Sequence, residues 1–326
     1  MKSKKNVMLW FIIIIMMIMT TSCAVKKNNS EKESLIIADQ FGLAYAPIEI
    51  MKAKDFLRQE LDEVGALEID IEWKRMGNTA SMREAMVSGD LDIGFVGIPP
   101  FLIGRDNGMD WKIISGISES PSALVTTDAS LVGIEDITKD HRIILPQPGS
   151  IQHILLAMYA EKIIGNAKAF DQQLQTLAHP DGLVAMSTGD PNQLHFTTPP
   201  FLQKELEIAG AKILVDGETC FGEPFTFIVG ICPQRVYDDR VVYEAFERAL
   251  ERSVLFMAVN PDETLSILAE AYEYPIGELQ KYLSNEQMEF TTEIKGVDIF
   301  IDFMTRNGWI ESAMDEADVL WRSNGQ

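Results

Sequence analysis

Arg142-Ile-Ile-Leu-Pro-Gln-Pro-Gly-Ser-Ile-Gln-His-Ile-Leu-Leu155 is the stretch from which the fold can be read. Ile143, Ile144 and Leu145 form an apolar run that is too short for a helix and rich in β-branched residues, so it reads as a buried strand. Pro146 and Pro148 stop the strand, and Gly149 allows a sharp turn. Ser150 then stands at the N-cap of a helix whose apolar face is Ile151, Ile154, Leu155 and Met158. A strand, a tight polar turn and a capped helix aim backbone N–H groups at one point, where an anion or polar head group can sit.

The same unit recurs on both sides of this stretch. Towards the C-terminus, strands are expected near Leu174–Leu177, Gln193–Phe196 and Lys212–Val215, with helices ending at Gly189 and Ala209 between them. Towards the N-terminus come the strand Leu35–Ala38, a helix from Pro47 towards Val64 and the strand Leu67–Trp73. A helix capped by Thr79 or Ser81 and ended by Gly89 follows, then the strand Leu91–Val96, a helix through Phe101 and the strand Trp111–Ile117. Strands alternating with helices of this length make a mostly parallel sheet, so the fold class is α/β. One more strand, Thr226–Ile231, precedes a helical tail: Asp238–Val259, Pro261–Ala271, Pro275–Leu283, Val297–Arg306 and Ile310–Trp321. The tail has room to return to the first half, with the chain crossing between halves near Thr126 and near Phe221–Phe225.

The N-terminus reads as a targeting segment. Lys2, Lys4 and Lys5 precede Val7–Met19, an uncharged run of 13 residues, shorter than the roughly 20 a spanning helix needs. Thr20-Thr-Ser-Cys23 resembles a lipobox, with Cys23 lipidated as the first mature residue; Thr20 stands where a leucine-like residue is more usual, and an ordinary secreted protein or an uncleaved anchor is the other reading. Residues 1–22 are then a signal peptide and 23–34 a flexible, lipid-anchored tether. Without the three lysines the formal net charge of −21 becomes −24. Such acidity argues against nucleic acid, which requires clustered Lys and Arg. It leaves room for a small anion, because charges beyond about 8 Å are largely screened at physiological salt. Cys220 and Cys232 read as buried free thiols rather than a disulfide, and no residue spacing suggests a metal site or a cofactor.

Several turns, in order, resemble those of the substrate-binding proteins of ABC importers in the nitrate/sulfonate/taurine group, which also holds binders of thiamine-pyrimidine precursors. They are Tyr45-Ala-Pro-Ile48, Met86-Val-Ser-Gly-Asp-Leu-Asp-Ile-Gly-Phe-Val-Gly-Ile-Pro-Pro100, Pro146-Gln-Pro-Gly-Ser-Ile-Gln-His153, and His179-Pro-Asp-Gly182 leading to His195-Phe-Thr-Thr-Pro-Pro-Phe201. The resemblance covers most of 35–230. It implies a two-lobed periplasmic-binding-protein fold of type II, with residues 35–124 and 225–326 as the first lobe and 125–224 as the second. It further implies a monomer that binds a small-molecule ligand between the lobes, with a permease and its ATPase as partners. Many sulfonate and nitrate binders carry an aromatic and an acid where this chain has Thr197-Thr198 before Pro199, which leaves the ligand's identity open.

In open α/β sheets, ligands bind beyond the carboxyl ends of strands where the strand order reverses. The candidate ligand-binding residues are therefore Gln40, Phe41, Gly42, Gly77, Asn78, Thr79, Gly97, Ile98 and Pro99 in the first lobe, and Gln147, Gly149, Ser150, Ile151, Gln152, Thr197 and Thr198 in the second. Phe41 is either a cover over the ligand or core, and His195 points to the cleft or to the core. Ser150 and His153, three residues apart, suggest a hydrolase, but no Gly-x-Ser-x-Gly elbow accompanies them and no catalytic residue is assigned. A sensory module and a pyrimidine-synthase-like enzyme of related fold are the rival functions; the export signal opposes the second.

Overall fold

A computed structural model describes residues 34–77 and 79–321. The expected signal peptide, the tether with Cys23, and Asn78 lie outside the described residues.

Among the described residues, ten strands divide into two sheets. In the first sheet, β1 (Ser34–Asp39), β2 (Asp70–Arg75), β3 (Ile93–Val96), β4 (Trp111–Ser118) and β10 (Ile228–Pro233) run in the order β2-β1-β3-β10-β4. The second holds β5 (Ala123–Thr126), β6 (Arg142–Leu145), β7 (Leu174–Thr176), β8 (Gln193–Thr197) and β9 (Lys212–Asp216), in the order β7-β6-β8-β5-β9. β1 is parallel to β2 and β3, and β6 to β7 and β8. Each sheet also takes in one antiparallel strand, β10 or β5, that arrives directly from the other sheet. The central strands are buried on both faces, which explains unbroken runs such as Ile93-Gly-Phe-Val96 in place of alternation.

The helical tail returns to the first sheet. Arg240–Val259 packs against the helices Ala46–Ala53 and Phe56–Glu63. Arg248 and Arg252 reach the buried Glu60 at 2.8 and 2.5 Å. Burial alone would raise that carboxyl; the two guanidinium groups outweigh it and hold it below the usual range.

Local details depart from the sequence reading where backbone geometry overrides periodicity. The helix expected from Pro47 to Val64 breaks at Asp55, which has φ of 54°. Of Ile310–Trp321, only Glu316–Val319 is helical, because Asp315 caps a new helix start within it. The chain changes sheet over residues 119–122, ahead of the expected Thr126, since β5 already pairs with β8 at Ala123. Thr79 opens its helix as the first helical residue, so it is not the cap. Cys220 and Cys232 are buried free thiols, and burial pushes the Cys232 thiol up to about 12.

Candidate functional site

Both sheets reverse their order at the same place: between β1 and β3 in the first, and between β6 and β8 in the second. A crevice opens beyond the carboxyl ends of such strands. The segments leaving these four strands carry most of the candidate residues, and the two edges lie against each other.

Three contacts join them. Leu43 N–H donates to the Pro199 carbonyl at 3.4 Å, next to Gly42, whose φ of 126° suits only glycine. At Gly97 an added Cβ would stand 3.2 Å from the Ile151 Cβ, so glycine is what lets the second-lobe helix approach. At Gly149 it would stand 2.7 Å from Ile103 Cδ1, and the φ of 77° again excludes most side chains. The helices Ile98–Asp106 and Ile151–Ile164 touch across this boundary. The edges are flanked by Glu161 bound to Arg306 (2.7 Å) and Asn307 (3.0 Å), and by Lys204 over the Tyr274 ring at 4.3 Å. The arrangement is closed.

Around these contacts, Gln40 donates through Nε2 to the Phe95 carbonyl (3.0 Å) and the Thr79 hydroxyl (3.3 Å), tying β1 to β3 and to the helix after β2. Ile98, Pro99, Ser150, Ile151, Gln152, Thr197 and Thr198 are buried, and Gln147 is half-buried. Gly77 is exposed, and an added Cβ there would meet nothing within 4 Å among the described residues. Phe41 is 51% exposed, with the Arg75 guanidinium 5.8 Å from its ring centre.

The Pro146–Ser150 turn does not aim its amides outward as expected. Gly149 N–H donates to His153 Nδ1 at 2.9 Å, and Ser150 N–H to the Gln147 carbonyl at 3.1 Å. The imidazole is an acceptor inside the turn and takes up the Gly149 donor that the sequence had left free. Ser150 Oγ accepts from the His153 backbone at 3.3 Å, as an N-cap does. His153 Nε2 faces Asp171 at 3.2 Å. Both ring nitrogens are thus committed to structure, and Ser150 has no base. Burial lowers the pKa of His153, with Asp171 opposing.

Two polar clusters escaped the sequence reading. The first lies at the ends of β1 and β2, where the register sets Asp39 beside Arg75. Asp39 is held by Arg75 Nε and Nη2, both at 3.1 Å, and by Lys52 at 2.6 Å; Glu49 bonds Lys52 at 3.1 Å and also Arg75. Burial would raise the Asp39 carboxyl, but Arg75 and Lys52 overcome this and keep it below the usual range. Glu49, the more weakly compensated partner, is raised by burial.

The second cluster lies behind β8. Gln152 Nε2 is 3.2 Å from His179 Nε2, His179 Nδ1 is 3.0 Å from His195 Nε2, and His195 Nδ1 is 2.6 Å from Glu205 Oε1. His179 stacks on Phe201 at 5.8 Å. Burial draws the His195 pKa down to about 3 and His179 well below its usual value, and lifts Glu205 up to about 9. The cluster is therefore neutral near pH 7. The buried Thr197 hydroxyl lies beside the Glu205 carboxyl and partly offsets the effect of burial on it. His195, open between cleft and core in the sequence, is wholly buried. A signal for Glu205 was present: it falls four residues after Phe201 and three after Leu202, on the buried face of a helix, where an acid needs a partner.

A cavity of about 440 Å³ lies where the chain crosses between sheets, lined by Glu119, Ser122, Glu218, Phe225, Glu289 and Lys295 among others; none of the candidate residues is in it.

Two sheets of identical order that exchange one antiparallel strand each, with their switch points face to face, define the two-lobed periplasmic-binding-protein fold. The chain shares this fold with solved solute-binding proteins. The alkanesulfonate-binding protein SsuA from Xanthomonas axonopodis pv. citri, bound to MOPS, matches at TM-score 0.73 and 18% identity, over 89% of this chain and 98% of that one. The periplasmic aliphatic sulphonate binding protein SsuA from Escherichia coli matches at TM-score 0.69 and 18% identity, over 89% and 92%. The periplasmic nitrate-binding protein NrtA from Synechocystis PCC 6803 matches at TM-score 0.69 and 14% identity, over 87% and 84%. No family model and no curated protein sequence matches the chain. Among the described residues, no helix is long and apolar enough to cross a membrane.

Proposed function

We propose that the chain is the extracytoplasmic solute-binding component of an ABC importer. It captures a small polar or anionic solute, of the sulfonate or nitrate kind, between the switch-point edges and delivers it to a permease and its ATPase. The lobes are taken as residues 35–124 with 225–326, and 125–224, a division within a few residues of the sheet change at 119–122. Gln40, Phe41, Gly42, Gly77, Asn78, Thr79, Gly97, Ile98, Pro99, Gln147, Gly149, Ser150, Ile151, Gln152, Thr197 and Thr198 border the solute. The chain acts as a monomer, held at the outer face of the membrane by a lipid on Cys23, and makes or breaks no bond.

The observation that carries this reading is the meeting of the two edges at Leu43–Pro199, Gly97–Ile151 and Gly149–Ile103. A hinged pair of lobes that closes at its switch points encloses whatever sits there. The printed functions of the structural neighbours, sulfonate and nitrate binding, point to the same chemistry. The test is calorimetry and thermal melting against alkanesulfonates, nitrate, pyrimidines and small organic acids. A cognate solute at a hundredfold excess over its Kd adds about 2.7 kcal/mol of stability. Unchanged melting with all four classes would reject the reading. Labelling with a radioactive fatty acid, abolished by Cys23→Ala, tests the anchor.

A further inference from the structure

The buried chain from Gln152 to Glu205 has a direction. An amide nitrogen only donates, so Gln152 Nε2, 3.2 Å from His179 Nε2, makes that ring nitrogen an acceptor. A neutral imidazole whose Nε2 accepts carries its proton on Nδ1, and His179 Nδ1–H therefore donates to His195 Nε2 across 3.0 Å. The same logic puts the His195 proton on Nδ1, donated to Glu205 Oε1 at 2.6 Å. From Gln152 to Glu205 each link pairs one donor with one acceptor, and the order ends on a carboxyl oxygen. Burial keeps both imidazoles from protonating near pH 7, which preserves this order.

The consequence falls on Gln152. Its nitrogen is drawn inward, and no described residue donates to its carbonyl oxygen. Gln152 is the second residue of the Ile151–Ile164 helix, directly after the Ile151 that packs on Gly97 at the lobe boundary. We propose that Glu205, His195 and His179 are positioning residues that lock the Gln152 amide with its oxygen available to the solute, so that the solute selected here carries an N–H or O–H donor beside its polar head. This rests on the reading of the switch-point edges as a solute site. It distinguishes amino- or hydroxyl-bearing solutes from bare oxyanions: a site with a buried acceptor rejects an analogue that leaves it unpaired.

Two measurements test it. In the purified chain labelled with nitrogen-15 histidine, long-range proton–nitrogen spectra at pH 7 are expected to show His179 and His195 neutral, each protonated on Nδ1. Protonation of His179 on Nε2 would reverse the order and overturn the proposal without any mutation. The second measurement is calorimetry on matched pairs, 2-hydroxyethanesulfonate against ethanesulfonate and 4-aminopyrimidine against pyrimidine. For whichever pair binds, the donor-bearing member is expected to bind at least about tenfold tighter, with the ratio falling to near one in Gln152→Leu and persisting in Glu205→Gln, whose amide oxygen still accepts from His195. Equal affinities in the wild type, or a ratio unchanged by Gln152→Leu, overturn this proposal alone. Failure of every member of both pairs to bind removes this proposal, while melting shifts with nitrate or organic acids would show the solute-site reading still standing.

Discussion

The two switch points share a topology and differ in how they keep polar groups out of water. At the end of the first sheet, Asp39 is buried with full charges around it, Arg75 and Lys52, and a second acid, Glu49. At the end of the second, Glu205 is equally buried but meets the His195 imidazole, which leads through His179 to the Gln152 amide. The first solution sets buried carboxylates against opposite charges, with Arg75 and Lys52 holding Asp39 below the usual carboxylate range while burial raises Glu49. The second holds neutral groups whose proton positions carry information, and it responds to pH. A lobe that must stay rigid suits the first, and an edge that must discriminate among solutes suits the second.

Removing one partner from the charged cluster should have the largest effect. Arg75→Met leaves two buried carboxylates, Asp39 and Glu49, sharing Lys52. Loss of one partner of a buried ion pair is strongly destabilising, and because Lys52 remains we expect the low end of that range, about 3 kcal/mol by urea unfolding. The double variant Asp39→Asn with Arg75→Met should recover part of that loss, since the uncompensated charge goes with it. If the single change proves as mild as an ordinary surface substitution, the contrast between the two clusters fails.

Much of the fold was readable in the chain, and the reason is physical. Strands such as Ile93–Val96 and helices such as Ile151–Ile164 declare themselves through local pattern and caps, and Gly42, Gly97 and Gly149 through the turns they permit. The clusters were not readable, because each depends on registers and approaches that no local pattern encodes. Asp39 meets Arg75 only because β1 and β2 pair in one register. His179 meets His195 only because the helix that opens at His179 lies on β8. For the same reason the Gly149 amide looked free in the sequence: its acceptor, the His153 ring, is four residues away but folds back over the turn.

The neutral cluster should reveal itself through pH. Glu205 has its folded pKa, about 9, above its ordinary 4.5, so its contribution to stability is complete below about 4.5 and is lost as pH rises through about 9. His195 has its folded pKa, about 3, below its ordinary 6.5, so its contribution is present above about 6.5 and is lost as pH falls through about 3. Between these ordinary values the two slopes cancel. The stability of the wild type relative to Glu205→Gln is therefore expected to fall from about pH 4.5 towards pH 9, with a slope of at most about 1.4 kcal/mol per pH unit. Melting curves of both proteins across that range give the difference directly. A flat difference would mean that Glu205 is ionised in the fold.

Gly149→Ala comes next. The substitution forces a side chain into left-handed backbone and against Ile103, which should cost about 1–2 kcal/mol. Because Ile103 belongs to the other lobe, part of the loss should return in Gly149→Ala with Ile103→Val, which relieves the crowding and leaves the backbone strain. Denaturant melts of the two variants separate those terms.

The smallest effect on the free protein is expected at Phe41, which separates the two remaining readings of that residue. A core phenylalanine truncated to alanine costs about 3–5 kcal/mol, whereas an exposed one is worth no more than about 0.5 kcal/mol. With half its surface in water and the Arg75 guanidinium 5.8 Å from its ring centre, Phe41→Ala should leave unfolding almost unchanged. Its ring follows β1 beside Gln40 and Gly42, so a solute held at that edge would lose a covering surface, and affinity should fall several-fold while the melting temperature of the free protein stays put. A drop in stability with intact affinity would assign the ring to the core and take it off the cleft edge altogether. It would also place Arg75 as a residue that braces the first lobe from inside, with no route from the charged cluster to the solute.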